Sequence, residues 1–312
     1  MAAAPGASCA WHAATVAMRA STEVTHDQRT IVFLCHRPLK SQIRFYEQFV
    51  DLGYRVDVVV DDPNWDVTSS SDLRIVNLLD QRCHDAGFHH FNPAVRKGLY
   101  CSAWDKALFH LTHSASPFRH CWLIEDDVFL ADPGALLKLD RAYPDADLLV
   151  GSARTVHHPS EAASGEDGWP WFHCVPVRQL PLPWAHGMVC AARISQRLIA
   201  AVAAFVDQHS ATLERRNAAR RRAAAMAARL RLPQSWVNRI GRERFPFIEF
   251  IFHTLALHHG YPVAVADELS GILWRRDWCL EEMRPDHLYH PVKAIADHPW
   301  IREQLLLQHP ER

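Results

Sequence analysis

The stretch from Thr30 to Val60 constrains the fold of this chain more than any other. Thr30 to Cys35 (TIVFLC) is a short apolar run of β-formers, the pattern of a buried strand. After His36-Arg37-Pro38, residues Ile43, Tyr46, Phe49 and Val50 recur at helical spacing between Leu39 and Leu52, and Gly53 stops the helix. Tyr54 to Val60 (YRVDVVV) is a second strand, ending in Asp61-Asp62-Pro63. A strand, a helix and a strand in this order predict a βαβ unit and a parallel sheet. Ligands of such sheets bind beyond the carboxyl ends of the strands, so Cys35-His36-Arg37 and Asp61-Asp62 are expected at the mouth of one crevice.

The rest of the chain extends this pattern. Strands are expected at Leu73–Leu78, Cys121–Ile124, Ala146–Gly151, Met188–Ala191 and Tyr261–Ala266. Helices are expected at Leu99–His113, Ile194–Val206 and Phe245–His258. Trp169 to Pro183, rich in Trp and Pro, predicts an ordered loop with exposed aromatics. Residues 211–232 stand apart: seven arginines, one glutamate and many alanines predict a basic helical insert. A solvated excursion is its plainest role; an acidic acceptor, an anionic membrane surface or RNA are the partners it could meet.

Composition narrows the class. Basic and acidic residues nearly balance (34 against 35), yet without 211–232 they number 27 against 34, so the expected domain at 29–302 is acidic. No run of about 18 apolar residues predicts a membrane-spanning helix. The first 28 residues are Ala/Ser-rich and their first acid is Glu23; they are expected to be a disordered extension or an organelle-targeting segment, with cytoplasmic placement the default. The eight cysteines form no CxxC pair and several sit in apolar runs, so buried reduced thiols are expected. The pairs His89-His90 and His258-His259 lack partners at metal-site spacing and are expected to be packed or surface residues.

The strongest chemical signal is Cys121 to Leu130 (CWLIEDDVFL), in which Glu125, Asp126 and Asp127 directly follow an apolar strand. Three carboxylates at one sheet edge repel each other unless a cation neutralises them. Oxygen donors of this kind suit Mn²⁺ or Mg²⁺, and an ion so held commonly also binds a diphosphate. The alternative is a turn or helix start with solvated acids and Asp126 as the cap. Glu249 is the second signal, a lone acid within Phe245-Pro246-Phe247-Ile248-Glu249-Phe250-Ile251-Phe252. An acid there is paired with Arg242 or Arg244, turned outward, or functional.

With its βαβ start, its strand ending in Glu-Asp-Asp and its late His290-Pro291-Val292-Lys293, the chain resembles the GT-A glycosyltransferases, which use nucleotide-diphosphate sugars. The Glu-Asp-Asp resembles their DXD motif. Ser102 to Leu108 stands where that fold places a helix touching the donor, and Pro183-Trp184-Ala185-His186-Gly187 with Arg193-Ile194-Ser195 is similar to the segment shaping the sugar and acceptor pocket. The resemblance spans Thr30 to Trp300. It implies an α/β fold, a GT-A-like (Rossmann-like) three-layer α/β/α sandwich on a mixed, mainly parallel sheet.

The resemblance also implies roles. Asp127 would be the main ligand of Mn²⁺ or Mg²⁺, assisted by Asp126, which could instead bind the donor sugar; Glu125 would face the ribose. His290 would supply the second ligand, with His287 the alternative, and Lys293 would pair a phosphate. Glu249 would take the acceptor hydroxyl's proton in an inverting transfer or position the acceptor in a retaining one. Asp61 or Asp62 would accept from the nucleotide, expected to be UDP-linked, with His36 and Arg37 over the base or diphosphate. Trp104, Lys106 and Gly187 would complete the donor site. Trp169, Trp171 and Trp184 would offer sugar-stacking faces, although core packing is the commoner role of Trp. The expected activity is metal-dependent transfer of a hexosyl or pentosyl group to a hydroxyl of a glycan, protein or small molecule. The rivals are a sugar-phosphate nucleotidyltransferase, which would want a Gly-rich loop where this chain has Cys35-His36-Arg37-Pro38, and a non-catalytic nucleotide-sugar or RNA-binding protein. A DNA partner is not expected.

Overall fold

The computed structural model describes residues 29–308, apart from 63, 66–72, 90, 93–100, 115, 164–168 and 170. The expected extension at 1–28, Pro63, His90 and the start of the helix expected from Leu99 thus lie outside the described residues.

Seven strands form the central sheet: β1 (Thr30–Cys35), β2 (Arg55–Val60), β3 (Arg74–Asn77), β4 (His120–Glu125), β6 (Leu148–Val150), β9 (Ala191–Ser195) and β10 (Val263–Val265), in the order β10-β6-β9-β4-β1-β2-β3. Five of its six pairings follow from two facts: β1, β2, β3 and β4 run parallel, and β9 runs antiparallel to both β4 and β6. The sixth joins β10 parallel to β6. The sheet is therefore mixed and mainly parallel. Strand alternation sorts the core into two layers. Ile31, Phe33, Val58, Trp122 and Ile124 face α1 (Lys40–Asp51) and α4 (Gly134–Ala142). Val32, Leu34, Val59, Leu123 and Ile194 face α3 (Ala103–His113), α6 (Gln196–Arg229) and α8 (Ile248–His259). This is the expected three-layer α/β/α sandwich.

Smaller elements sit around the sheet's carboxyl edge. β5 (Phe129–Leu130) pairs antiparallel with β12 (Leu288–His290), which pairs parallel with β11 (Gly271–Ile272). β7 (Arg154–Val156) pairs with β8 (Trp184–His186). The short helices α2 (Asp80–Asp85), α5 (Pro159–Ala163) and α7 (Gln234–Ile240) and the late α9 (His298–Gln308) complete the described strands and α-helices.

Several sequence expectations shift. Strand β9 starts where the expected strand at Met188–Ala191 ends, and Ile194 and Ser195 belong to it rather than to the following helix. Pairing on both edges holds Ala191–Ser195 extended, and Ser195 then caps the helix by accepting the amide of Leu198 at 3.2 Å. The basic segment 211–232 is not a separate helix: through Arg229 it continues α6, which runs unbroken for 34 residues, about 51 Å at 1.5 Å per residue. No Gly or Pro interrupts Gln196–Arg229, so nothing in the sequence ends the helix at Val206. The helix expected from Phe245 begins at Ile248, because Pro246 and Phe247 remain extended or irregular ahead of it. Among the described residues α3 begins at Ala103, with Ser102 forming a reciprocal cap in which Asp105 accepts the Ser102 amide at 2.7 Å. The thiols Cys35, Cys83, Cys101, Cys121, Cys174 and Cys190 are free and buried as expected, but Cys279 is exposed.

Candidate active site

The three acids leave the end of β4 at the sheet's carboxyl edge and diverge. Glu125 is fixed first: the buried indole of Trp104, on α3, donates to Glu125 Oε1 at 2.5 Å. Asp126 turns toward the β1–α1 turn, where its Oδ2 accepts the backbone amide of His36 at 3.3 Å. Burial, outweighing that hydrogen bond and reinforced by Asp127, Glu125 and Asp61, pushes Asp126 up to about 6. Asp127 turns toward the C-terminal segment and pairs with the Lys293 ammonium.

The pairing of β12 with β5 carries His290 to these acids. Tyr289 sits opposite Phe129 and Leu288 opposite Leu130, and the Val292 amide donates to the Asp127 carbonyl at 2.8 Å. His290 Nε2 then lies 3.4 Å from Asp127 Oδ1 and 3.6 Å from Glu125 Oε2. Its other nitrogen, Nδ1, is 2.8 Å from the Leu273 carbonyl oxygen, which can only accept, so in the neutral ring Nδ1 carries the proton and Nε2 presents a lone pair to the acids. An outer hydrogen bond of this sort orients a metal-binding imidazole. Lys293 is held above the usual lysine range: partial burial works against its charge, but Asp127 and Glu125 outweigh it.

Cys190 is a member of this cluster that sequence reasoning missed. Ligand atoms of Glu125, Cys190 and His290 lie within 4.8 Å of one another. The β4–β9 pairing puts Cys190 there, its carbonyl accepting the Glu125 amide at 2.8 Å. Its position at the end of an apolar run reads as a core thiol, and only the strand pairing reveals the neighbours. Burial, with the charges of Glu125, Glu249 and Asp127, pushes the thiol well above its ordinary range and keeps it neutral.

Glu249 occupies the first turn of α8, buried. Neither Arg242 nor Arg244 pairs with it among the described residues; its partner is Trp169, whose indole donates to Oε2 at 2.5 Å. Burial lifts Glu249 to about 7; the Trp169 hydrogen bond opposes this and the charge of Glu125 adds to it. Trp169 is itself buried and stacked on His186 with ring centroids 5.2 Å apart, so it holds the acid rather than offering an open face. Gly187 lies beneath: its amide donates to the Glu249 carbonyl at 3.0 Å, and a Cβ there would collide with the Ser152 carbonyl and stand 2.8 Å from His253 Nε2.

The remaining predicted residues form the other wall. The His36 imidazole hydrogen-bonds Asp61, and the Arg37 guanidinium pairs with Asp62. Asp62 is held below the usual carboxylate range by the Asn64 amide and by Arg37. Lys106 is fully buried; its ammonium donates to the Asp61 carbonyl at 3.1 Å and pairs with Asp80 at 2.8 Å, so it braces the end of β2 from below. Trp184 is a core residue whose indole donates to the Leu180 carbonyl at 2.9 Å. Trp171 is half-buried and stacks on Trp274 at 5.7 Å between centroids. His287 lies between Asp286 and Asp267 rather than among the three acids. His89 is buried against His84, while His258, which contacts the Pro183 carbonyl, and His259, which stacks on Tyr261, are surface residues, within the expectation of packed or surface histidines.

The arrangement thus puts a hard, acidic donor set with one oriented imidazole beside a carboxyl group that titrates near neutrality. Carboxylate oxygens and an imidazole nitrogen fit Mn²⁺ or Mg²⁺, and the Cys190 sulfur lies within reach of the same point as a softer donor. No described helix is long and apolar enough to cross a membrane.

No family model and no curated protein matches this chain. Among solved structures, the apo form of mouse xyloside xylosyltransferase 1 aligns with 85% of this chain and 97% of that one, at 11% identity and a TM-score of 0.33. A likeness that distant carries no functional argument.

Proposed function

We propose that this protein is a metal-dependent glycosyltransferase that moves a sugar from a nucleotide-diphosphate donor to a hydroxyl acceptor. The observation that carries the proposal is the approach of His290 Nε2 to Asp127 Oδ1 and Glu125 Oε2 at the carboxyl edge of the parallel strands. Asp127 and His290 would hold Mn²⁺ or Mg²⁺, with Glu125 or Asp126 beside them. The ion, when bound, would neutralise the departing diphosphate as a Lewis acid.

The chain's own residues would do the rest. Lys293 would pair a phosphate oxygen once released from Asp127. His36, Arg37, Asp61 and Asp62 would contact the nucleotide along the ends of β1 and β2. Glu249 would accept the acceptor hydroxyl's proton as the new C–O bond forms at the anomeric carbon and the bond to the diphosphate oxygen breaks. A carboxyl group near 7 suits that task, being largely ionised just above neutrality yet basic enough to hold a proton. UDP is the nucleotide expected.

Hydrolysis of a panel of UDP-sugars, with Mn²⁺ and with a chelator, tests the reading. Metal-dependent release of UDP that is lost in Asp127→Ala supports it. A folded wild type with no metal-dependent turnover on any donor overturns it.

A further inference from the structure

The distal half of α6 and the helix that folds back on it are not used by the site. Up to Asn217 the helix is built into the protein: Leu198, Val202, Phe205 and Leu213 are core residues, and Asn217 clamps the backbone of Arg244 through two hydrogen bonds at 2.8 and 2.9 Å. Beyond it Ala227 is the one buried residue of α6, and α7 has none. The segment 215–242 contains nine arginines and no acidic or lysine residue. Of these, Arg221 is neutralised within the protein, bound at 2.5 Å to both Glu214 and Glu243.

At the tip of this hairpin four large apolar side chains face solvent: Met226 (63% exposed), Leu230 (69%), Leu232 (39%) and Trp236 (63%). With 3.6 residues per turn, Met226 and Leu230 lie on the same outward side as the exposed Arg222 and Arg229, opposite the stripe of Asn217, Ala224 and Ala227 that faces inward. Exposed apolar residues rimmed by uncompensated arginines form a surface that is neither a solvated charged face nor a protein core.

We propose that this hairpin tip docks on an anionic phospholipid bilayer. Leu230, Met226, Leu232 and Trp236 enter the boundary between headgroups and acyl chains, where tryptophan is favoured, and Arg222 and Arg229 pair with lipid phosphates. The apolar residues decide between a bilayer and a nucleic acid. Arginines alone would serve either, but phosphate backbones give exposed Leu and Met no apolar phase to enter. The proposal does not depend on glycosyl transfer, and its test reads binding rather than turnover.

The test is co-sedimentation of the full chain with vesicles of phosphatidylcholine alone and of phosphatidylcholine with about 30 mol% phosphatidylserine. Strong partitioning is expected only to the anionic vesicles, falling with salt. Replacing Arg222 and Arg229 by Gln should weaken it at least tenfold, since each arginine near an anionic surface adds to the attraction. Trp236→Ala with Leu230→Ser, which leaves every charge in place, should weaken it by about tenfold or more, because both side chains lose the apolar surface they would bury. Unchanged melting temperatures for both variants separate this from misfolding. No binding to anionic vesicles overturns the proposal. So does binding indifferent to Trp236 and Leu230, or preferential binding of single-stranded RNA that displaces the vesicles.

Discussion

The indole nitrogen of Trp169 sits 2.5 Å from Glu249 Oε2, and it is the hydrogen bond that opposes the effect of burial on that acid. Burial sets the direction of the shift and the Trp169 bond limits it. With its folded pKa raised from 4.5 to about 7, Glu249 disfavours the folded state as pH climbs through that window, because the unfolded chain gives up the proton more readily. Activity has the opposite slope, since a base works only when ionised.

The rate of sugar transfer should therefore rise with pH through about 7. Trp169→Phe, by deleting the bond to the ionised form, should move that limb to higher pH while leaving a measurable maximum rate. Glu249→Gln should lower kcat by a factor on the order of 100 to 10,000 and remove the limb. Steady-state pH profiles of the three proteins check this; a Trp169→Phe profile superimposable on wild type would refute the assignment.

Mn²⁺ should bind with an affinity that weakens as pH falls, because its carboxylate and imidazole ligands must shed protons first. His290→Ala and Asp127→Asn should each weaken binding at least tenfold. Calorimetric titration of the metal against each variant is the direct measurement. Mn²⁺ should also raise the melting temperature of the wild type and leave that of Asp127→Asn nearly unchanged.

Gly187→Ala tests a packing constraint. The new methyl group would meet the Ser152 carbonyl, which belongs to the backbone and cannot swing aside, and the buried His253 ring. A loss of about 1–3 kcal/mol is expected from denaturant unfolding, with Glu249 displaced because Gly187 holds its carbonyl.

Asn217→Ala should cost about 1–3 kcal/mol, since it strands the Arg244 amide and carbonyl that the side chain now satisfies. Hydrogen exchange should show faster opening of α7 and the 241–246 segment while the central sheet stays protected.

Most of the fold was legible because β1 and β4 carry apolar runs of β-formers and α1 and α3 carry apolar stripes. The edges of β4, and with them Glu125 to Asp127, were legible for the same reason: an apolar strand that ends abruptly in acid marks a sheet's carboxyl edge. Cys190 was not, because its proximity to Glu125 comes from the β4–β9 pairing, and antiparallel registry is not written in either strand alone. The partner of Glu249 was misassigned for a related reason. Arg242 and Arg244 are near in sequence, whereas Trp169 is 80 positions away and reaches the acid only through tertiary packing. The continuity of α6 was hidden by a change of composition at 211, from core-facing to arginine-rich, that alters what the helix touches without ending it.

The pairing of β12 with β5 has a consequence for how the protein comes into being on the ribosome. Lys293 and Asp127 are 166 positions apart, so the sheet edge with its three acids is synthesised long before His290 and Lys293 leave the exit tunnel. Until then Asp127 has neither its ammonium nor its imidazole neighbour. Glu125 and Asp126 already have Trp104 and His36 as donors, whereas Asp127 gains its partners only when β12 docks. The candidate metal site is thus completed only after the acidic edge of β4 has been made, because His290 and Lys293 come from β12 and the residues just after it.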